Sequence, residues 1–352
     1  MLITNKGERK MSKLIGYEEE VKNKSILSIQ MNLLNKCTSR CISCKKYTWP
    51  NDAIKVEDVK NTLKVLKEKF GLRTVLFSGG DPILYKGLEE VIAFCVDNDI
   101  KYSLITTLIT NNEELLKLIA KTAYRIHVSV DGANAELYRK IRGVNGLANV
   151  EKNIDIVMSM RPADMIPIRI SATIGIFNYN DSYNLYQFAK IHNCIINFYF
   201  LHTWDDLKMN EDQIQIFKQG LVRIKEDEKI HGKISNARSL INELNKEDTE
   251  YDSSFKKCYL PFVNASINAN GDIYPCCKLL DDNGEYTNQM KYAYGNISNK
   301  TCKQIEEEFN KRLCVTCPLI EKLREDCARR YGGSLLRELE IIIDEERPVF
   351  FL

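Results

Sequence analysis

Three cysteines within eight residues form the densest concentration of chemistry in this chain: Cys37-Thr38-Ser39-Arg40-Cys41-Ile42-Ser43-Cys44, a C-x3-C-x2-C spacing. Three thiolates on one tight loop suit an iron–sulfur cube, whose irons take thiolate ligands, and they leave a fourth iron open. A structural zinc ion asks for four tetrahedral ligands, and no fourth Cys or His lies nearby. The whole chain holds 12 Cys beside 4 His in 352 residues, far below the roughly 8–10% Cys of small disulfide scaffolds. The start has charge but no apolar h-region. A cytoplasmic chain is therefore expected, in which clustered Cys serve metal or redox chemistry rather than disulfides.

Two further motifs follow at strand-like ends. Ser78-Gly79-Gly80-Asp81-Pro82 comes after the run 74–77, and Val128-Ser129-Val130-Asp131-Gly132 is followed by Ile141-Arg142-Gly143. With the cysteine loop, in this order, they resemble the radical S-adenosylmethionine (radical SAM) superfamily over roughly residues 26–202. The resemblance implies a [4Fe-4S] cluster on Cys37, Cys41 and Cys44 whose open iron chelates SAM. The reduced cluster would then cleave SAM to a 5′-deoxyadenosyl radical. It also implies cofactor contacts from Ser78, Gly79, Gly80 and Asp81 near the methionine amine, from Ser129 on the ribose, and from Arg142 on the carboxylate. A low-potential electron donor such as flavodoxin or ferredoxin is the implied protein partner. Two positions depart from the family pattern. Asp81 stands where the family usually has Glu, and Ser43 stands where an aromatic residue often stacks near the adenine, with Tyr47 and Trp49 close by.

A second set of cysteines lies downstream: Cys258, Cys276, the pair Cys314-Val315-Thr316-Cys317, and Cys327. Read alone, two such pairs make a zinc ribbon. Behind the first half of this chain they resemble the SPASM domain, or its shorter twitch form, which carries auxiliary iron–sulfur clusters. Leu323 occupies the slot of a further SPASM cysteine and none follows Cys327. One auxiliary [4Fe-4S] cluster of the twitch type is thus expected, with one of the five cysteines spare. Cys95, Cys194, Cys277 and Cys302 read as small buried hydrophobes; one facing the cavity would instead be a hydrogen-atom donor.

The elements that must position these groups alternate. Strand-like runs at 26–31, 74–77, 101–105, 125–130, 167–172 and 195–201 are rich in Val, Ile, Phe and Tyr. Between them, Val56, Val59, Leu63, Leu66 and Phe70 make one apolar helical stripe, and 84–96, 113–119, 150–158 and 183–191 read likewise. Six βα units predict a parallel sheet that right-handed crossovers curl into a barrel or a doubly wound sheet; the radical SAM resemblance implies the partial (β/α)6 TIM-like barrel. His127, Ser129 and Asp131 share one strand face, as do Arg169, Ser171 and Thr173. Those faces suggest a cavity for a polar ligand, with Arg169, Ser171, Asn197 and Tyr199 as lining. The expected division is an N-terminal extension (1–25), the barrel (26–207), a helical connector (208–256), a Cys-rich α+β auxiliary-cluster domain (257–333), and a C-terminal helix and tail (334–352).

Composition narrows the function. The formal net charge is +2 and no basic tract occurs, which disfavours nucleic acid and anionic membrane as partners. The leading expectation is dehydrogenation, oxidation or epimerisation of a carbohydrate-like small molecule. Only 36 residues precede Cys37, too few for the leader-binding domain often found in peptide-modifying relatives. The alternatives are a maturase that crosslinks or epimerises a ribosomal peptide, and a non-catalytic iron–sulfur or zinc scaffold.

Overall fold

The computed structural model describes residues 25–201, 205–245, 263–275 and 293–311. Six parallel strands run in sequential order: β1 (Ser28–Leu34), β2 (Thr74–Gly79), β3 (Lys101–Thr106), β4 (Arg125–Ser129), β5 (Arg169–Ile174) and β6 (Ile195–Phe200). Helices cross between them: α1 (Val56–Phe70), α2 (Leu88–Asp97), α3 (Glu113–Thr122), α4 (Ala135–Arg142), α5 (Leu147–Met160) and α6 (Ser182–Ile191). This is the partial barrel of βα units that the sequence predicts.

Period-2 alternation sets the two faces of the sheet. Ile29, Met31, Val75, Phe77, Ile126, Val128, Ile170, Ala172, Ile196 and Phe198 are at most 1% exposed. They form the helix-side core with Val59, Leu63 and Leu66 of α1. The opposite face is polar and is described with the site.

Some boundaries differ from expectation. Pro82 opens a short 3-10 turn (Pro82–Leu84), and Gly87 at φ 93 caps the next helix, so α2 starts at Leu88 rather than at 84. Helix α4 was not expected; Asn134 caps it by accepting from Leu137 N at 2.9 Å. Among its described residues, the expected helical connector (208–256) holds α7 (Glu211–His231) and α8 (Ala237–Leu244).

The described strands of the cysteine-rich half extend the barrel sheet. Strand β7 (Asn264–Ile267) pairs parallel with β1, Ser28 beside Asn264 and Met31 beside Ile267. Strands β8 (Asp272–Tyr274) and β9 (Gly295–Asn296) follow antiparallel, so one nine-stranded sheet runs β6-β5-β4-β3-β2-β1-β7-β8-β9. The turn at Asn270-Gly271-Asp272 joins β7 to β8. Helix α9 (Cys302–Asn310) packs on α1, with Phe309 and Phe70 rings 6.1 Å apart. Asn299 N donates to both carboxylate oxygens of Asp58 at 3.2 Å. Cys258, Cys276, Cys277, Cys314, Cys317, Cys327 and the predicted C-terminal helix lie outside the described residues.

Candidate functional site

The cysteine loop leaves β1 at the C-terminal edge of the sheet. Asn35 Nδ2 donates to Pro50 O at 2.8 Å, closing the loop at its base. Arg40 N donates to Arg142 O and Ile42 N to Ile141 O, both at 2.9 Å, so the loop lies along the last turn of α4. Cys37, Cys41 and Cys44 are free, half-buried thiols. Burial pushes the Cys37 and Cys41 thiols up, Cys41 to about 12, and each is raised further by the neighbouring cysteines. The Arg142 guanidinium opposes the rise at both. Metal ligation requires thiolates, so a set of mutually repelling half-buried thiols beside a fixed cation fits a cationic iron cluster.

The Gly79-Gly80 turn lies against that loop. Gly80 N donates to Leu34 O at 2.6 Å and Asp81 N to Lys36 O at 2.9 Å. A Cβ on Gly79, whose φ is +128°, would stand 2.2 Å from Leu34 O; one on Gly80 would stand 2.1 Å from Lys36 O. The resemblance implies that this turn lies near the methionine amine of SAM, and glycines allow the backbone to approach closely. In the structure they let it approach the chain's own Leu34–Lys36 segment, which fixes where the cysteine loop begins. Lys46 Nζ donates to Gly79 O at 3.2 Å from within the same loop.

Asp81 explains its own departure from the family pattern. Its carboxylate is fully buried and points back into the sheet. It accepts from Thr106 Oγ1 at 2.6 Å, from Thr107 N at 3.1 Å, from Thr107 Oγ1, and from Ile83 N at 3.3 Å. Burial pushes its pKa up, and the Thr106 and Thr107 hydrogen bonds oppose this. Asp81 thus ties the Gly-Gly turn to the end of β3.

Arg142 and Asp131 form the second anchor. Arg142 Nη1 donates to Asp131 Oδ2 at 2.8 Å, with both side chains buried. Asp131 Oδ1 accepts from Thr173 N at 2.8 Å, and its carbonyl accepts from Asn178 Nδ2 at 2.8 Å. The sequence expectation directed Arg142 at the SAM carboxylate. Here one guanidinium nitrogen is committed to Asp131, while its buried Nε has no partner. Sequence reasoning missed Asp131 as this partner. Two acid–base residues eleven apart, one after a strand and one at a helix end, were the available signal.

Below the loop the inner face is polar. Register sets His127 beside Arg169 beside Ile195, and Ser129 beside Ser171 beside Asn197. Gln30, Asn32, Ser103 and Ser266 stand on the same face. Asn32 Nδ2 donates to Asn268 Oδ1 at 2.9 Å, carrying the face onto the cysteine-rich half. Asn197 Nδ2 donates to Tyr199 OH at 3.3 Å. Arg169, Ser171, Asn197 and Tyr199, named from sequence as lining, therefore do share one face. Cys95 and Cys194 are buried on the helix side, and the Cys302 thiol lies 3.7 Å from Asn61 Oδ1.

A model of the radical SAM superfamily matches residues 31–189, and one of the SPASM iron–sulfur cluster-binding domain matches residues 258–329. The chain belongs to the radical SAM superfamily. It carries a SPASM domain behind the radical SAM domain. These domains imply SAM with a [4Fe-4S] cluster, and auxiliary iron–sulfur chemistry in the second half. The half-buried thiols and the glycine turn packed on their loop fit that assignment. A probable GTP 3′,8-cyclase of Methanocaldococcus jannaschii is 27% identical over 191 residues, 53% of this chain and 62% of that protein. The chain thus matches under two thirds of that relative's length. The structure of Streptococcus suis SuiB bound to S-adenosylmethionine aligns with TM-score 0.61 at 16% identity, over 99% of this chain and 78% of that one. Native anSMEcpe with bound AdoMet and Cp18Cys peptide aligns with TM-score 0.62 at 16% identity, covering 87% of this chain and 90% of that one. At such identity these two likenesses show the fold. Among the described residues no helix is long and apolar enough to cross a membrane.

Proposed function

We propose that this radical SAM protein is an oxidoreductase or epimerase acting on a small polar metabolite. When bound, SAM and its reduced cluster supply a 5′-deoxyadenosyl radical that removes hydrogen from an unactivated carbon. Cys37, Cys41 and Cys44 hold the cluster. Backbone groups of Ser78 to Asp81 and the Ser129 hydroxyl orient SAM. Arg142, held by Asp131, keeps a positive charge beside Cys41. The polar strand face beneath the loop orients the substrate. Four of Cys258, Cys276, Cys314, Cys317 and Cys327 would hold one auxiliary cluster of twitch type, which would supply an acceptor for the electron of the substrate radical. A flavodoxin or ferredoxin delivers the initiating electron. The division at about residue 257 separates this electron-accepting unit from the barrel, although their strands share one sheet.

The observation that carries the reading is the polar inner face, because an interior filled by side chains would be bulky and apolar. The partial likeness to a GTP 3′,8-cyclase, whose name gives a small molecule, supports it. The test is anaerobic reconstitution followed by iron and sulfide analysis and a screen for 5′-deoxyadenosine formation. Two four-iron clusters give about 8 Fe per chain. Stimulation of 5′-deoxyadenosine formation by a polar metabolite supports the proposal. Stimulation by peptides alone overturns the small-molecule part.

A further inference from the structure

The seven parallel strands β1 to β7 contain no Asp or Glu. They do contain Lys101, Arg125, His127 and Arg169. Register puts all four on the inner face, three of them on the adjacent strands β4 and β5. Ser103 lies beside Arg125, His127 beside Arg169, and Ser171 one layer above Arg169. Arg125, His127, Ser103 and Ser171 are all at most 6% exposed. Burial, reinforced by Arg169 and Arg125, keeps the imidazole of His127 neutral, its pKa well below the ordinary value. Positive charge on this face of β4 and β5 is therefore the charge of the arginines.

Arg169, half-buried, differs from Arg161 and Arg142 in the partners of its guanidinium. Arg161 donates to the carbonyls of Ile166, Ala120, Ala123 and Tyr124 at 2.5–3.3 Å. Arg142 is paired with Asp131. The Nε of Arg169 is buried and has no acceptor, and the buried hydroxyls of Ser103 and Ser171 have no partner either. Buried donors without acceptors are rare in proteins because the lost hydration is not replaced. A guanidinium fork with a hydroxyl on the same strand face matches the geometry of a carboxylate or a phosphate group.

We propose that Arg169, with Ser171 one layer above it on the same face, binds an anionic group of the substrate, a carboxylate or a phosphate. Arg169 precedes the Ser129–Ser171 layer by two residues, about 7 Å along the strand. The anion thus sits deeper in the barrel than the cysteine loop and holds the reacting carbon toward that loop. The inference rests on the radical SAM reading only for what lies above it.

The test uses full-length protein reconstituted anaerobically, titrated by calorimetry at low salt with inorganic phosphate and, separately, with acetate. Saturable binding of one of them, weakened at least tenfold in Arg169→Gln and partly kept in Arg169→Lys, supports the proposal. The anion that binds identifies the group. Absence of binding by both, or equal binding in wild type and Arg169→Gln, overturns it. If Arg169→Gln loses its circular-dichroism signature of folding, Ser171→Ala replaces it, with a severalfold weakening expected and no change contradicting. Wild-type 5′-deoxyadenosine formation is measured on the same sample. Its failure counts against the radical SAM reading, whatever the anion result.

Discussion

The rim of the barrel and its inner face are both buried and polar, yet the two rim carboxylates are satisfied within the chain, apart from the Nε of Arg142 beside one of them, whereas donors of the inner face are not. At the rim, Asp81 takes four donors, and Asp131 takes Arg142 and the Thr173 amide. Deeper in, the donors of Arg169, Ser103 and Ser171 point at no acceptor. Self-satisfied polar groups fix a geometry; unsatisfied ones await a complement from outside the chain. The rim is accordingly a frame for the cysteine loop and its cofactor, and the inner face is a surface for something the chain does not itself contain.

The largest effect that sharpens this contrast is loss of the Asp131 carboxylate. Asp131→Ala leaves Arg142 buried and uncompensated, which costs about 3–5 kcal/mol. A large drop in thermal midpoint checks it, and an unchanged midpoint would break the contrast. Gly80→Ala comes next. Its Cβ collides with the Lys36 carbonyl, and the backbone must shift at a cost of about 2–3 kcal/mol. The same variant is expected to bind less iron on reconstitution, because the cysteine loop starts from that segment. A smaller effect is expected at a paired acid outside the barrel. Asp227 accepts from Lys190 Nζ at 2.8 Å, Tyr186 OH at 2.9 Å and Tyr183 OH at 3.2 Å, which hold its carboxyl down at about 2. Its folded value lies below the unfolded one of about 3.9. Its stabilisation is present above that pH and is lost as pH falls toward about 2. Asp227→Asn should therefore lower the thermal midpoint at neutral pH and flatten its fall between pH 4 and 2. The smallest effect belongs to the inner face. Arg169→Gln removes no internal hydrogen bond from Nε, so its stability should stay within about 0.5 kcal/mol of wild type and its midpoint should barely move. A loss as large as that of Asp131→Ala would erase the distinction between the two regions.

The βα rhythm was legible because each unit is local. Val59, Leu63 and Leu66 mark the buried face of α1 by spacing alone, and the apolar runs at β2, β3 and β6 mark strands within one or two residues. The cysteine loop was equally legible, since three cysteines in eight residues need no fold to be noticed. What the sequence concealed depends on contacts distant along the chain. Nothing local says that Asn264–Ile267 pairs with Ser28–Met31. Asp81 reads as a ligand-facing residue until Thr106 and Thr107, a strand away, are seen to claim its carboxylate. Arg142 reads as free until Asp131 is found beside it. Arg169 and Ser171 could be named as lining, because alternation along β5 shows their face, but their lack of partners is a property of the assembled barrel.

The central claim is that the Cys37–Cys41–Cys44 loop holds the cluster that cleaves SAM. The most direct measurement is 5′-deoxyadenosine formed from SAM and dithionite by anaerobically reconstituted wild type and by the triple variant Cys37→Ala, Cys41→Ala, Cys44→Ala. Wild type should form it, and the triple variant should form none while keeping about half the iron, held by the auxiliary site. Retention of 5′-deoxyadenosine formation in the triple variant would contradict the account.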